Sequence, residues 1–153
     1  MSLNIRPLCL DTDLDDVHAL TSQLGYPIPL HQFQQHWQCI HQHAGYLTLV
    51  IELNQRVVGY AGLIEQYTWE FTDGYFRIQA FVIDSAYRGQ GLGKQLIQAI
   101  ERLAQQRGLK RLFVNSGNRA ERYPAHAFYH SLGFEPYSLG FSKYLADQSS
   151  SSN

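Results

Sequence analysis

Residues 79–97, QAFVIDSAYRGQGLGKQLI, constrain the fold more than any other part of the chain. An apolar run, Ala80–Ile83, leads through the short turn Asp84-Ser85-Ala86 to Arg88-Gly89-Gln90-Gly91-Leu92-Gly93-Lys94. Leu92, Leu96, Ile97, Ile100, Leu103 and Ala104 then repeat at helical spacing, and Gly108 ends the pattern. The spacing predicts a strand, a glycine-rich turn and a helix over 91–107. That order aims backbone N–H groups, a helix N-terminus and the cations Arg88 and Lys94 at one point, which suits a phosphorylated ligand. Glycine at a helix start costs about 0.5–1 kcal/mol relative to alanine. Three of them in residues 89–93 make sense where a ligand lies against bare backbone.

The surrounding pattern is that of an α/β chain. A first strand is predicted over 3–8, with Asp11 or Thr12 capping a helix that Gly25 ends. A second helix is predicted over 30–43, with Phe33, Trp37 and Ile40 on one face. Segments 46–53, 56–65 and 75–83 alternate apolar and polar residues across short turns, as an antiparallel meander does. The helix over 91–107 makes the strand over 110–115 a parallel addition. A short helix over 125–132 and a last strand over 136–145 complete the chain. No repeat or internal boundary is apparent. We expect one domain over 1–146 and a polar tail over 147–153 that frays.

Known phosphate motifs fit poorly. A Walker A loop needs glycine where Arg88 stands and Ser or Thr where Gln95 stands. A dinucleotide fingerprint counted from Gly89 needs its third glycine at Lys94, and its strand belongs to a parallel unit. By contrast, Arg88-Gly89-Gln90-Gly91-Leu92-Gly93-Lys94-Gln95-Leu96-Ile97 after an apolar strand resembles the acyl-CoA-binding motif of the GNAT N-acetyltransferase superfamily. Ala125-His126-Ala127-Phe128-Tyr129-His130-Ser131-Leu132-Gly133-Phe134 is similar to that superfamily's A-x-x-F-Y-x-x-x-G-F segment. The resemblance covers nearly the whole chain. It is nearest to small stand-alone bacterial members, including aminoalkylphosphonate N-acetyltransferases, through Asn118–Phe134 and Phe141-Ser142-Lys143-Tyr144-Leu145.

The resemblance implies an acyl-CoA N-acyltransferase fold: a mixed, mostly antiparallel, splayed sheet flanked by about four helices. It implies acetyl-CoA as cofactor. The pyrophosphate would lie on Arg88, Gly89, Gln90, Gly91, Leu92, Gly93 and Lys94, and the pantetheine arm along Phe81, Val82 and Ile83. Asn115 and Phe128 would sit near that arm. Tyr129 would serve the departing thiolate, because a phenol with reference pKa about 10 stays protonated at neutral pH. Many members place a glutamate where this chain has Gln79, which cannot take a proton. Glu65 is the favoured substitute, acting through water; Glu70 and Asp73 are alternatives, as is an amine that arrives already neutral. Arg77 and Gln79 would read the acceptor, and Tyr26 and Trp37 would wall its pocket, although an aromatic stripe is more often core.

The expected activity is transfer of an acetyl group from acetyl-CoA to a primary amine of a small molecule, by direct attack in a ternary complex. A non-catalytic acyl-CoA sensor, or an acetyltransferase acting on protein N-termini or lysines, is the alternative. The charge of −1 gives no bulk attraction to nucleic acid or a lipid surface. No apolar run is long enough to span a membrane, and the first residues lack signal-peptide character, so the expected location is cytoplasmic. Cys9 and Cys39 read as small apolar residues. His31, His36 and His41 do not converge at helical spacing, and His36 with His43, which could share a face two turns apart, make a poor two-ligand site, so no metal is expected and the four read mostly as polar helix-face residues. The resemblance implies that a homodimer would form through the last strands.

Overall fold

The apolar segments between Tyr46 and Ile83 form a meander at the centre of the unit Met1–Asn115, and runs such as Leu49–Ile51 and Val57–Ala61 are buried on both faces of the sheet. The computed structural model describes residues 2–115, 123–137 and 140–146. Its elements are β1 (Leu3–Pro7), α1 (Leu10–Leu24), α2 (Leu30–Ile40), β2 (Tyr46–Leu53), β3 (Arg56–Gln66), β4 (Tyr75–Ile83), α3 (Leu92–Gln106), β5 (Arg111–Val114) and α4 (Tyr123–Ser131). The chain divides into two compact units, Met1–Asn115 and Ser116–Asn153. The sheet and α1–α3 lie in the first and α4 in the second.

Strand order in the sheet is β1-β2-β3-β4-β5, the order of the sequence. The first three pairings are antiparallel and the last, β4 with β5, is parallel. The expected mixed, mostly antiparallel sheet is therefore present. β2 and β3 are joined by Asn54 and Gln55, both left-handed with φ of 52° and 67°, as a two-residue hairpin turn requires. The parallel ladder runs only from Tyr75↔Arg111 to Ile78↔Val114. Past Ile78, no described strand lies on that edge of β4, and the sheet is open there.

β4 also carries a bulge. Gly62 pairs with Ala80 and Leu63 with Ile78, so Gln79 is the extra residue. A bulge shifts the side-chain alternation by one. Arg77, Ala80 and Val82 consequently share a face, whereas a strict period of two would group Arg77 with Phe81 and Ile83.

The face bearing Val82 packs on α1 and α2. Val17, Leu20, Phe33, Trp37, Val50, Val57, Tyr60 and Val82 form one buried cluster. α3 buries Leu92, Leu96, Ile97, Ile100 and Ala104 of the predicted stripe, while Leu103 is half-buried.

Four local expectations change. α1 begins at Leu10 with Cys9 as its cap residue. Asp13, not Asp11 or Thr12, satisfies the cap, accepting from the Cys9 N–H at 2.8 Å. Second, 136, 137 and 140–145 form no strand, and Phe141, Tyr144 and Leu145 are exposed. Alternation alone supplies no neighbouring edge to pair with. Third, Cys9 and Cys39 are unbridged and exposed rather than packed. Fourth, His41 does not simply face solvent: both ring nitrogens have protein partners. Residues 116–122, 138–139 and 147–153, where the sequence predicts a loop, part of the last strand and a tail, lie outside the described residues. No described helix is long and apolar enough to cross a membrane.

Candidate functional site

The turn after β4 is held from both sides. Asp84 Oδ1 accepts from the Ala86 N–H at 3.0 Å, closing a 3-10 turn over Ser85–Tyr87. Gln23, near the end of α1, clamps this turn with its amide: Oε1 accepts from the Ser85 N–H at 3.0 Å, and Nε2 donates to Asp84 Oδ1 at 3.3 Å. Arg88 folds back so that its Nε donates to the Ile83 carbonyl at 3.2 Å. Gly89 and Gly91 both have φ of +80°. A Cβ on either would meet no protein atom within 4 Å. Their bareness therefore serves the left-handed backbone and leaves the approach open to a ligand.

α3 starts at Leu92 with Gly91 as cap residue, and no side chain caps it. The first N–H groups of a helix lack intrahelical partners, so those of Leu92, Gly93 and Lys94 point out of the helix start. Leu92 itself is buried and anchors the turn, while Arg88, Gly89, Gln90, Gly91 and Lys94 are exposed. Cations beside a helix N-terminus oppose its dipole, and a phosphate between them relieves this. On β4, Val82 points into the cluster under α1 and α2. The Asp84 N–H donates to the Val58 carbonyl at 2.8 Å. By strand alternation, Ile83 turns its backbone to the opposite edge, the one that β5 leaves open.

On the α1–α2 face of the sheet lies a cavity of about 390 Å³. Tyr26, Trp37 and Gln79, expected from sequence to meet the acceptor, all line it, as do Tyr60, Gly62, Ala80, Thr48, His36 and His41. Among the described residues that line it there is no Asp, Glu, Lys or Arg. Trp37 stands edge-on to Tyr60, with ring centroids 5.2 Å apart. The Tyr60 hydroxyl lies 2.7 Å from Thr21 Oγ1. Burial pushes the Tyr60 phenol up, and the Thr21 contact only partly offsets this, so Tyr60 stays neutral.

Other expected residues stand elsewhere. Glu65 pairs with Phe76 across the sheet and turns toward the end of α3. Its Oε1 accepts from Arg107 Nη1 at 2.9 Å and its Oε2 from the Tyr67 hydroxyl at 3.1 Å. It does not line the cavity. Arg77 stands where β4 and β5 part. Its Nε donates to Gln66 Oε1 at 3.0 Å and its Nη1 to Asn115 Oδ1. Asn115 thus follows β5 as expected, but both partners of Arg77 are neutral amides outside the cavity lining. Tyr129 and Phe128 lie on α4 in the second unit. Tyr129 is buried, with the Phe134 ring edge-on at 5.7 Å and Phe128 at 5.5 Å.

Sequence reading missed Gln23, Thr48 and the inward role of His41. Gln23 lies 61 residues from Asp84, beyond any local pattern. Thr48 did leave a signal: a hydroxyl on the strand face that also carries Val50.

A family profile described as "Acetyltransferase (GNAT) family" matches residues 13–134. No curated protein matches the sequence. Among solved structures, a GNAT family acetyltransferase from Staphylococcus aureus is similar at 28% identity and TM-score 0.81, covering 95% of this chain and 100% of its own. An acetyltransferase from Trypanosoma brucei is similar at 26% identity and TM-score 0.74, covering 94% and 100%. An aminoglycoside N-acetyltransferase in complex with CoA shares the fold at 19% identity and TM-score 0.80, covering 95% and 96%.

Proposed function

Because the chain belongs to the GNAT acetyltransferase family, we propose that it moves an acetyl group from acetyl-CoA to the primary amine of a small, largely apolar molecule. One observation carries the reading. β4 meets the cavity at its bulge, Gln79–Ala80, and the same strand runs along an open edge into the glycine turn. A ligand lying on that edge brings its end to the cavity.

The N–H groups of 91–94, with Arg88 and Lys94, hold the pyrophosphate of acetyl-CoA. The β4 edge past Ile78 takes the pantetheine arm as an added strand. Acetyl-CoA supplies an activated thioester. The cavity supplies position and a dry wall: apolar surroundings disfavour the ammonium form of the acceptor, so the amine is bound closer to neutral. Attack forms the C–N bond and breaks the C–S bond, with the electron pair leaving on sulfur. One proton of the attacking amine goes to the thiolate, and Tyr129 is the proposed donor that relays it. Gln79 takes no proton and acts by positioning.

Calorimetry with CoA, and thiol release with acetyl-CoA and an amine panel, test this. We expect binding and turnover. Gly91→Glu adds a carboxylate and a Cβ facing the pyrophosphate, and should lower CoA affinity at least about tenfold. Tyr129→Phe should lower kcat by about 10²-fold with acetyl-CoA affinity kept. Gln79 in place of a basic carboxylate favours a second reading, a CoA sensor; it requires CoA binding with no turnover for any amine. Absence of CoA binding would overturn both.

A further inference from the structure

Two hydrogen-bonded polar pairs line the cavity, Thr21 with Tyr60 and His41 with Thr48; in the second the histidine fixes the direction of the hydroxyl. His41 Nδ1 lies 2.6 Å from the Trp37 carbonyl oxygen, and its Nε2 lies 2.8 Å from Thr48 Oγ1. A carbonyl only accepts, so the neutral ring carries its proton on Nδ1 and presents Nε2 as an acceptor. The buried Thr48 hydroxyl therefore donates to Nε2. Its lone pairs are left to accept a hydrogen bond from something in the cavity that it lines.

Thr48 stands in one row with Gly62 and Ala80, across β2, β3 and β4. The middle member has no side chain. Nothing on the sheet floor then separates the Thr48 hydroxyl from the bulge at Gln79–Ala80. The row spans about 9–10 Å, two strand spacings. Trp37 and Tyr60 wall the space above it. Among the described lining residues no carboxylate meets the charges of a polycationic sugar, and no Lys or Arg meets the anion of a phosphorylated amine. A plain hydrocarbon amine would leave the Thr48 acceptor unused.

Resting on the acetyl-transfer reading, we infer that the acceptor is a hydroxylated aromatic amine. Its amine lies at Gln79–Ala80, its ring lies against Trp37 and Tyr60, and its hydroxyl donates to Thr48 Oγ1. A ring with a short aminoalkyl arm on one edge and a hydroxyl on the other covers the row. His41 acts through Thr48 and is a positioning residue: by accepting the threonine's hydrogen bond it fixes the hydroxyl oxygen as an acceptor toward the cavity.

The test measures kcat/KM with acetyl-CoA for tyramine and phenethylamine, which differ by one hydroxyl. The parent protein should prefer tyramine by about 10- to 100-fold, because a site built to pair a hydroxyl penalises its absence. In Thr48→Val the ratio should fall toward one while the acetyl-CoA Kd is unchanged. Thr48→Ser should keep the ratio, and His41→Gln should lower it. If Thr48→Val fails to bind acetyl-CoA, the Ser and Gln variants decide. A parent ratio near one, or a ratio that survives loss of the Thr48 hydroxyl, overturns the inference. Turnover of some other amine but of neither aromatic amine overturns it and leaves acetyl transfer standing. No turnover of any amine overturns both.

Discussion

Asp13 is 3% exposed yet charged, and it is stable there because its oxygens are fully used. Arg6 Nη1 and Nη2 donate to its two oxygens at 2.8 and 2.9 Å, and the Cys9 N–H donates at 2.8 Å. The Arg6 guanidinium holds its carboxyl below the usual carboxylate range; burial opposes this and the Cys9 N–H adds to it. Because the folded-state value is depressed, the stabilisation is complete above the unfolded value of about 4 and is lost as pH falls through the lower, folded one. Asp13→Asn should cost about 2–3 kcal/mol at neutral pH. Thermal melts between acidic and neutral pH should show a shallower acid-side decline for the variant than for the parent. Glu65 contrasts with it. Its partner Arg107 is 42% exposed, so solvent screening leaves the pair worth less than about 1 kcal/mol. Glu65→Gln should keep kcat/KM within about twofold of the parent in the thiol-release assay, because the side chain faces α3 and not the cavity.

At the scale of elements, the bulge on β4 and the bare row through Gly62 decide what the sheet can hold. A Cβ on Gly62 would lie 3.4 Å from the Ala80 Cβ, so a side chain fits beside its neighbour and extends into the cavity. Gly62→Val should raise KM for the amine at least about tenfold while leaving acetyl-CoA affinity alone, since only the acceptor loses volume. The meander, the long α3 and the parallel β5 were legible in the sequence, because apolar period and glycine punctuation encode them directly. So was the glycine turn, whose residues are contiguous. The cavity was legible only in part. Tyr26, Trp37 and Gln79 line the cavity, but Glu65 does not. A bulge changes which residues share a face, and no pattern in QAFVI announces one. The pairing of His41 with Thr48 was hidden for another reason. It joins a helix end to a strand across a turn, and at helical spacing alone His41 looks like its exposed neighbours.

At the scale of the whole molecule, the same architecture recurs in structures at 19–28% identity, so the fold depends on pattern more than on particular side chains. The agreement in strand order between sheet and sequence has a consequence for the path by which the chain folds. β2, β3 and β4 follow one another through a two-residue turn and a short loop, so their pairing closes little chain. β1 reaches β2 only after α1 and α2 intervene, and β5 reaches β4 only after α3. Closing those longer loops costs more entropy before any contact repays it. The meander should therefore form the transition-state nucleus, with the two outer strands joining on the downhill side. Ile51→Val in β2 should slow refolding with a φ-value of about 0.5–0.8, and Val114→Ala in β5 should mainly speed unfolding with a φ-value below about 0.3. Stopped-flow chevrons of the two variants test this order, and equal φ-values would reject it. The strand that borders the open edge would then be the last to arrive and the first to leave.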